Sequence, residues 1–321
     1  MADTDSKGDP QGRSSAIISL FLQPSPKYWL LGLAILLLSA ISHLPYRILL
    51  SLGRAIGAMI YRSGGRVKHI ANVNITRCYP SLAPEAQQRI LQQSFRELGI
   101  SVVETFRVWF GDAEKFYGSR TKLEGEDHWR AALARERGII LLSCHYGSLD
   151  LNATLAGLQV RKYRKYAFTY RKPSDQLVDR FLVEKRTPYA DHFFPVNNLV
   201  GIIRLLKKQG VVWYAPDIEV KNKNSVFANF MGIPASTTAG LSKLAQAGNA
   251  VILPFGHYRN SDNTYTLKFF PPLEGFPSED AVADTRQINR AIEHIIRPFP
   301  ERYWWTIKRF KNRPAGEPPF Y

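Results

Sequence analysis

Gly138-Ile-Ile-Leu-Leu-Ser-Cys-His145-Tyr-Gly-Ser-Leu-Asp150 is the stretch from which the fold can be read. Charged Arg135-Glu136-Arg137 leads into an apolar run, Ile139 to Ser143, of the length and composition of a buried strand. The run stops at His145. Gly147-Ser148 then supplies a turn and a helix cap, and Leu149 to Leu158 reads as the helix that follows. A strand that turns directly into a helix is the repeating unit of an α/β sheet. It leaves an imidazole at the carboxyl end of the strand and a carboxylate in the first turn of the helix.

His145 and Asp150 would sit well round from each other in one continuous helix and on opposite faces of one continuous strand. Only a strand-turn-helix break lets Asp150 fold back onto the ring. There it would accept the proton on one imidazole nitrogen and leave the other free as a general base. The bland alternative is a strand-end histidine beside a helix cap. His257 and Asp262 have the same spacing and act as an internal control. They lie between two strand-like runs, Val251–Phe255 and Thr264–Phe270, and Asp262-Asn263 is turn chemistry with no helix after it. That second pair reads as an exposed hairpin loop, so context and not spacing carries the signal.

The same rhythm continues on either side. Strands are expected at Tyr166–Tyr170, Val211–Ala215 and Val251–Phe255, with helices near His128–Arg137, Ser174–Lys185, Asn198–Lys208 and Ala239–Ala247. Such a sheet collects ligands at the carboxyl ends of its strands, and His145, Arg171 and Asp217 each fall just after one. Upstream, Pro84–Phe110 reads as a helix, with Pro84 in its first turn and Ile90, Leu91, Phe95 and Leu98 on one face. The expected organisation is a disordered tail over 1–27, a membrane-anchor helix over 28–50, a helical region over 51–120 and an α/β core over 121–321.

Tyr28 to Tyr46 contains no Lys, Arg, Asp or Glu. As a helix it would be roughly 28 Å long against a hydrocarbon thickness of ~30 Å, so it either spans the bilayer or lies in its interface. Arg47, Arg54, Arg62, Arg66 and Lys68 outnumber Lys7, Arg13 and Lys27, which puts its C-terminal side in the cytoplasm. No small-residue cleavage site follows, so it does not read as a removable signal peptide. A buried core helix is the competing reading. The net charge of +16 over 321 residues points to acidic partners: anionic lipid, a phosphorylated substrate, nucleic acid or an acidic protein. The two cysteines, Cys78 and Cys144, supply neither a disulfide framework nor zinc spacing. Cys144 faces away from its strand neighbour His145 and reads as a small core residue.

Arg171, held extended by Pro173, suits bidentate phosphate binding, and is equally readable as a solvated strand-end charge. Asp217, with Glu219 two residues on, follows a mostly apolar strand and is either a site acid or a loop cap. No His or Cys accompanies that pair, so no metal is expected. Two stretches interleave basic and aromatic residues, Arg161-Lys-Tyr-Arg-Lys-Tyr166 and Arg302-Tyr-Trp-Trp-Thr-Ile-Lys-Arg-Phe-Lys-Asn-Arg313. They suit a membrane interface, a phosphorylated glycolipid or nucleic acid; the apolar N-terminal segment favours the membrane over nucleic acid.

At these residues the sequence resembles the late acyltransferases of lipid A biosynthesis, the lauroyl/myristoyl transferase family. The resemblance runs through His145…Asp150, Tyr170-Arg171…Pro173, Gly210-Val-Val-Trp-Tyr-Ala-Pro-Asp217, Ser225-Val-Phe227…Phe230-Met-Gly232 and Pro300-Glu301…Trp305…Lys308-Arg309-Phe-Lys311…Arg313-Pro314. It implies a glycerolipid-acyltransferase-like mixed sheet flanked by helices, at the cytoplasmic face of the inner membrane. It also implies acyl transfer, without a cofactor, from acyl carrier protein to a hydroxyl of a Kdo-bearing, phosphorylated lipid A precursor. His145 would be the base and Asp150 its orienter, with Arg171, Asp217, Glu219, Lys308 and Arg309 carried over as substrate-binding residues. Two rivals remain: an acyltransferase on another lipid, such as a phosphatidylinositol mannoside or an ornithine lipid, and a non-catalytic basic membrane-binding protein.

Overall fold

The computed structural model describes residues 16–219 and 225–321. Helices come first: α1 (Ala16–Phe21), α2 (Pro26–Ser42), α3 (Tyr46–Ser63), α4 (Gly65–Cys78), α5 (Pro84–Phe110) and α6 (Ala113–Arg120). Strands and helices then alternate through β1 (Thr121–Glu124), α7 (Glu126–Ala134), β2 (Gly138–Leu142), α8 (Leu149–Val160), β3 (Tyr166–Tyr170), α9 (Gln176–Arg186), β4 (His192–Pro195), α10 (Leu199–Lys207) and β5 (Val211–Tyr214). A hairpin, β6 (Ser225–Phe230) and β7 (Ile233–Thr238), precedes α11 (Gly240–Gly248), β8 (Ala250–Arg259), β9 (Tyr265–Phe269) and α12 (Ala281–Ile296).

Seven strands form one sheet in the order β1-β9-β8-β2-β5-β3-β4, parallel throughout except where β8 meets β9. The α/β alternation expected from the sequence is present, and the sheet is mixed and mostly parallel. Every residue of β2 is buried, because both faces of the sheet are covered. Ile139 and Leu141 pack with Leu155 and Ala156 of α8 and Ile100 and Val103 of α5. Ile140 and Leu142 pack with Ile202 of α10, Leu244 of α11 and Ile292 of α12. The short edge strand β4 and the β6–β7 hairpin have too little periodicity to be read from sequence.

The N-terminal third differs from expectation. Residues 1–15 of the expected tail lie outside the described residues, but Ala16–Phe21 is helical and Leu20 is fully buried against Ile35 and Phe181. Within the expected tail, residues 16–21 and the start of α2 are thus helical. The expected anchor over 28–50 is two helices, α2 and α3, separated where Pro45 interrupts the hydrogen-bonding pattern. The 17 residues of α2 extend only about 26 Å. Among the described residues no helix is long and apolar enough to cross a membrane. α2 still presents Trp29, Leu30, Leu33, Leu36 and Leu37 to the outside, so a simple core helix is not what formed either.

α3 lies against α5 with backbones almost touching. A Cβ on Gly99 would come within 2.1 Å of Gly53 O, and one on Gly57 within 2.0 Å of Phe95 O. α5 is in turn fixed to the sheet by buried charge: Glu104 accepts from Tyr46 Oη at 2.7 Å and from Arg259 Nη1 at 3.2 Å, and the Tyr265 hydroxyl also reaches it.

Candidate active site

β5 lies beside β2, although β3 and β4 separate them in the chain. Their register sets Leu142 level with Tyr214, so His145 and Asp217, each three residues further on, arrive side by side. His145 Nδ1 is 2.8 Å from Asp217 Oδ1, and the His145 backbone N–H donates to Asp217 Oδ2 at 2.9 Å. The aspartate side chain is fully buried while the imidazole is 13% exposed. Burial alone would raise the Asp217 pKa. The His145 ring, the two hydrogen bonds from that residue and the Arg309 charge outweigh it, and hold the carboxyl below its ordinary range. An ionised carboxylate only accepts hydrogen bonds, so Nδ1 carries a proton and, in the neutral ring, Nε2 carries the lone pair.

The C-terminal basic–aromatic stretch closes one side of this turn. The Trp304 backbone N–H donates to His145 O at 2.9 Å, and the Gly147 N–H donates to Arg302 O at 2.8 Å. These two bonds make Tyr146 and Tyr303 an isolated antiparallel bridge. Trp304 Nε1 donates to Gly147 O at 2.9 Å, and its ring meets the imidazole edge-on at 5.5 Å. Sequence reasoning placed these residues on a basic surface and missed that they wall the histidine.

Asp150 forms no hydrogen bond or ion pair with His145, in contrast to the expected pair. Its carboxylate accepts from Arg186 Nε at 2.7 Å and Nη2 at 3.0 Å, and from Trp109 Nε1 at 3.1 Å. α8 starts on the face of the sheet shared with α5 and α9, so its first turn delivers Asp150 to a guanidinium. A two-point charged donor is the stronger partner there, and the ring is served instead from the next strand.

The second histidine is also corrected. β8 runs on to Arg259, so His257 is a strand residue, 3% exposed, and not part of the loop. The hairpin itself is where expected: Asp262 accepts from the Thr264 N–H at 2.9 Å across the turn.

The remaining candidates separate. Arg171 is exposed at the end of β3 and forms no ion pair among the described residues. Glu219 accepts the backbone N–H groups of Lys311 at 2.8 Å and Asn312 at 2.7 Å, and its partial burial raises its pKa. It clasps the C-terminal loop. Arg309 is 1% exposed and donates to Ser236 O at 3.0 Å, Thr237 Oγ1 at 2.7 Å and Asn289 Oδ1 at 3.3 Å. Its two Nη groups are thus bonded to β7 and α12 in the interior. Lys308 is half-buried with Nζ 5.2 Å from the centre of the Tyr321 ring. The other basic stretch sits at the opposite, amino-terminal edge of the sheet, where Arg164 donates to Leu133 O at 2.8 Å and Gln209 O at 3.1 Å. Among the described residues no three His, Cys, Asp or Glu side chains come together as a metal site.

Comparison with known proteins gives the family. Residues 22–312 match the model of the bacterial lipid A biosynthesis acyltransferase family. The chain is a member of that family. It is 34% identical to the lipid A biosynthesis palmitoleoyltransferase of Escherichia coli K12, over 92% of this chain and 95% of that protein. It is 32% identical to the lauroyltransferase of the same organism, over 92% and 96%, and 22% identical to the myristoyltransferase, over 91% and 90%. Membership makes it an acyltransferase of lipid A biosynthesis.

Proposed function

We propose that this enzyme moves a fatty acyl group from an acyl carrier protein thioester to a hydroxyl of a Kdo-bearing lipid A precursor, with His145 as general base and Asp217 as its orienter. The observation that carries this reading is the His145–Asp217 pair, in which the partly exposed ring turns a protonated Nδ1 to a buried carboxylate. Nε2 takes the proton of the acceptor hydroxyl as its oxygen attacks the thioester carbonyl. The C–O bond forms, the C–S bond breaks, and the imidazolium returns the proton to the departing thiolate. Asp217 stabilises the imidazolium in between. Cys144 takes no part as a nucleophile: it is fully buried, and burial drives its thiol pKa well up. Exposed Arg171 supplies a guanidinium for an acceptor phosphate. A chain at +16 suits both an acidic carrier protein and an anionic acceptor.

The same reading puts the enzyme on the cytoplasmic face of the inner membrane. The exposed apolar residues of α2, with Ile48, Leu52 and Met59 of α3, lie in the interface and the arginines of α3 meet anionic headgroups.

Purified full-length enzyme, supplied with acyl carrier protein thioesters, tests this against three acceptors: a Kdo-bearing lipid A precursor, a phosphatidylinositol mannoside and an ornithine lipid. Transfer to the first is expected, and transfer only to one of the others overturns the acceptor assignment. His145→Ala should lose about 10²- to 10⁴-fold in turnover while still partitioning onto vesicles. Turnover near wild type in that variant removes the general base.

A further inference from the structure

The buried histidine of β8 lies directly beneath the turn that carries His145. Gly147 has φ +53°, and a Cβ built on it would come within 3.0 Å of His257 Nε2. The imidazole thus occupies the space a side chain would otherwise fill. The Arg302 carbonyl, the Trp304 backbone N–H and indole and, from below, the His257 ring grip this turn.

The orientation of that ring is determined by a chain of hydrogen bonds with one consistent solution. An indole N–H can only donate, and Trp213 Nε1 lies 3.0 Å from Asn152 Oδ1. The Asn152 amide nitrogen therefore faces the other way, where it donates to Ser143 Oγ at 3.2 Å and to His257 Nδ1 at 2.8 Å. His257 Nδ1 is thus an acceptor, and the single proton of the neutral ring lies on Nε2, against the Gly147 turn. Tyr146 meets the ring edge-on at 5.8 Å and Tyr265 lies parallel to it at 6.1 Å. Burial, with Arg302 and Arg259 nearby, pushes the His257 pKa down to about 3, in keeping with a ring that stays neutral.

We propose that His257 is a positioning residue for the acyl-transfer reaction, its ring held in one tautomer by Trp213 and Asn152 and buttressing the Gly147 turn so that His145 stays on Asp217. This rests on the reading of His145 as the base. Asn152, which holds the ring, is completely buried.

The test uses full-length enzyme with the thioester and acceptor named above, comparing His145→Ala, His257→Ala, His257→Gln and Trp213→Phe. His257→Ala is expected to lower kcat between about 10- and 100-fold with both KM values within about twofold, as displacement of a reacting group does. His257→Gln, whose amide nitrogen can reach the place of Nε2, is expected to recover most of that loss. Nitrogen NMR of labelled wild-type enzyme should show His257 neutral with its proton on Nε2 from pH 5 to 8. Trp213→Phe frees Asn152 to turn over and should give the other tautomer together with a reduced kcat. If His257→Ala does not fold, Trp213→Phe and the nitrogen spectrum still decide. A proton on Nδ1 in the wild type, or normal kcat in both His257→Ala and Trp213→Phe while His145→Ala is inactive, overturns the inference alone. Normal kcat in His145→Ala overturns the functional reading, and with it the inference.

Discussion

His145 and His257 stand at the same distance in sequence from an aspartate, and neither uses it. One ring sits past the end of β2, partly open to solvent, with its Nδ1 on a buried carboxylate. The other sits inside β8, closed off from water, with its Nδ1 on a neutral amide. A carboxylate partner favours a ring that gains charge during a reaction, whereas an amide partner inside an apolar shell opposes it. Two identical spacings therefore give a candidate base and a structural ring. The partner, not the spacing, makes the difference.

The largest effect should come from exchanging that partner. In Asp217→Asn the His145 backbone N–H still demands an oxygen, so the amide nitrogen must face Nδ1. The ring is then forced to carry its proton on Nε2 and cannot accept another there. Turnover is expected to fall about 10²- to 10⁴-fold with the fold intact, as when an orienting carboxylate is lost and the tautomer reverses. Asp150→Asn is the matched control. It removes the charge that Arg186 grips, so unfolding in urea should show a loss of about 2–3 kcal/mol, with turnover changed by less than about tenfold. A reversed pattern, in which Asp150→Asn stops the chemistry and Asp217→Asn only weakens the fold, breaks the comparison.

The next effect concerns charge on the second histidine. Folded His257 binds its proton only near pH 3, whereas the unfolded chain binds it near the ordinary value of about 6.5. The unfolded state therefore holds the extra proton between those limits. Stability is full above that window and declines as pH falls through it. Between pH 7.5 and pH 5 this amounts to about 2 kcal/mol, which urea unfolding should resolve as a loss larger in the wild type than in His257→Gln. Equal losses in the two proteins would place a readily charged ring in β8. The smallest effect is expected at Asp262, whose exposed carboxylate ties the hairpin turn and lies 3.9 Å from Lys122 Nζ. Asp262→Ala should leave both the urea midpoint and turnover close to wild type.

Much of the α/β half was legible because its signals are local. The run from Ile139 to Ser143, the Gly147-Ser148 turn and the Pro84 start of α5 are encoded within a few residues, and the elements appear there to within a residue or two. The end of β8 was misread because His257 to Arg259 looks polar in sequence. Arg259 is nonetheless buried on Glu97 and Glu104, and strand pairing with β9 carries it inside. The burial of Arg309 was hidden for the same reason: it stands in a basic run, and only β7 and α12 fold around it.

The sequence by itself determined that an imidazole would stand at the carboxyl end of a buried strand, since apolar run, turn and cap follow one another along the chain. It also determined that acids and cations would follow neighbouring strands. Only the tertiary structure decided which acid meets the ring. Strand order is fixed by packing on both faces of the sheet, and placing β5 against β2 brings Asp217 to His145 across 72 residues of chain. The rotation of one helical turn sends the nearer Asp150 to Arg186 instead.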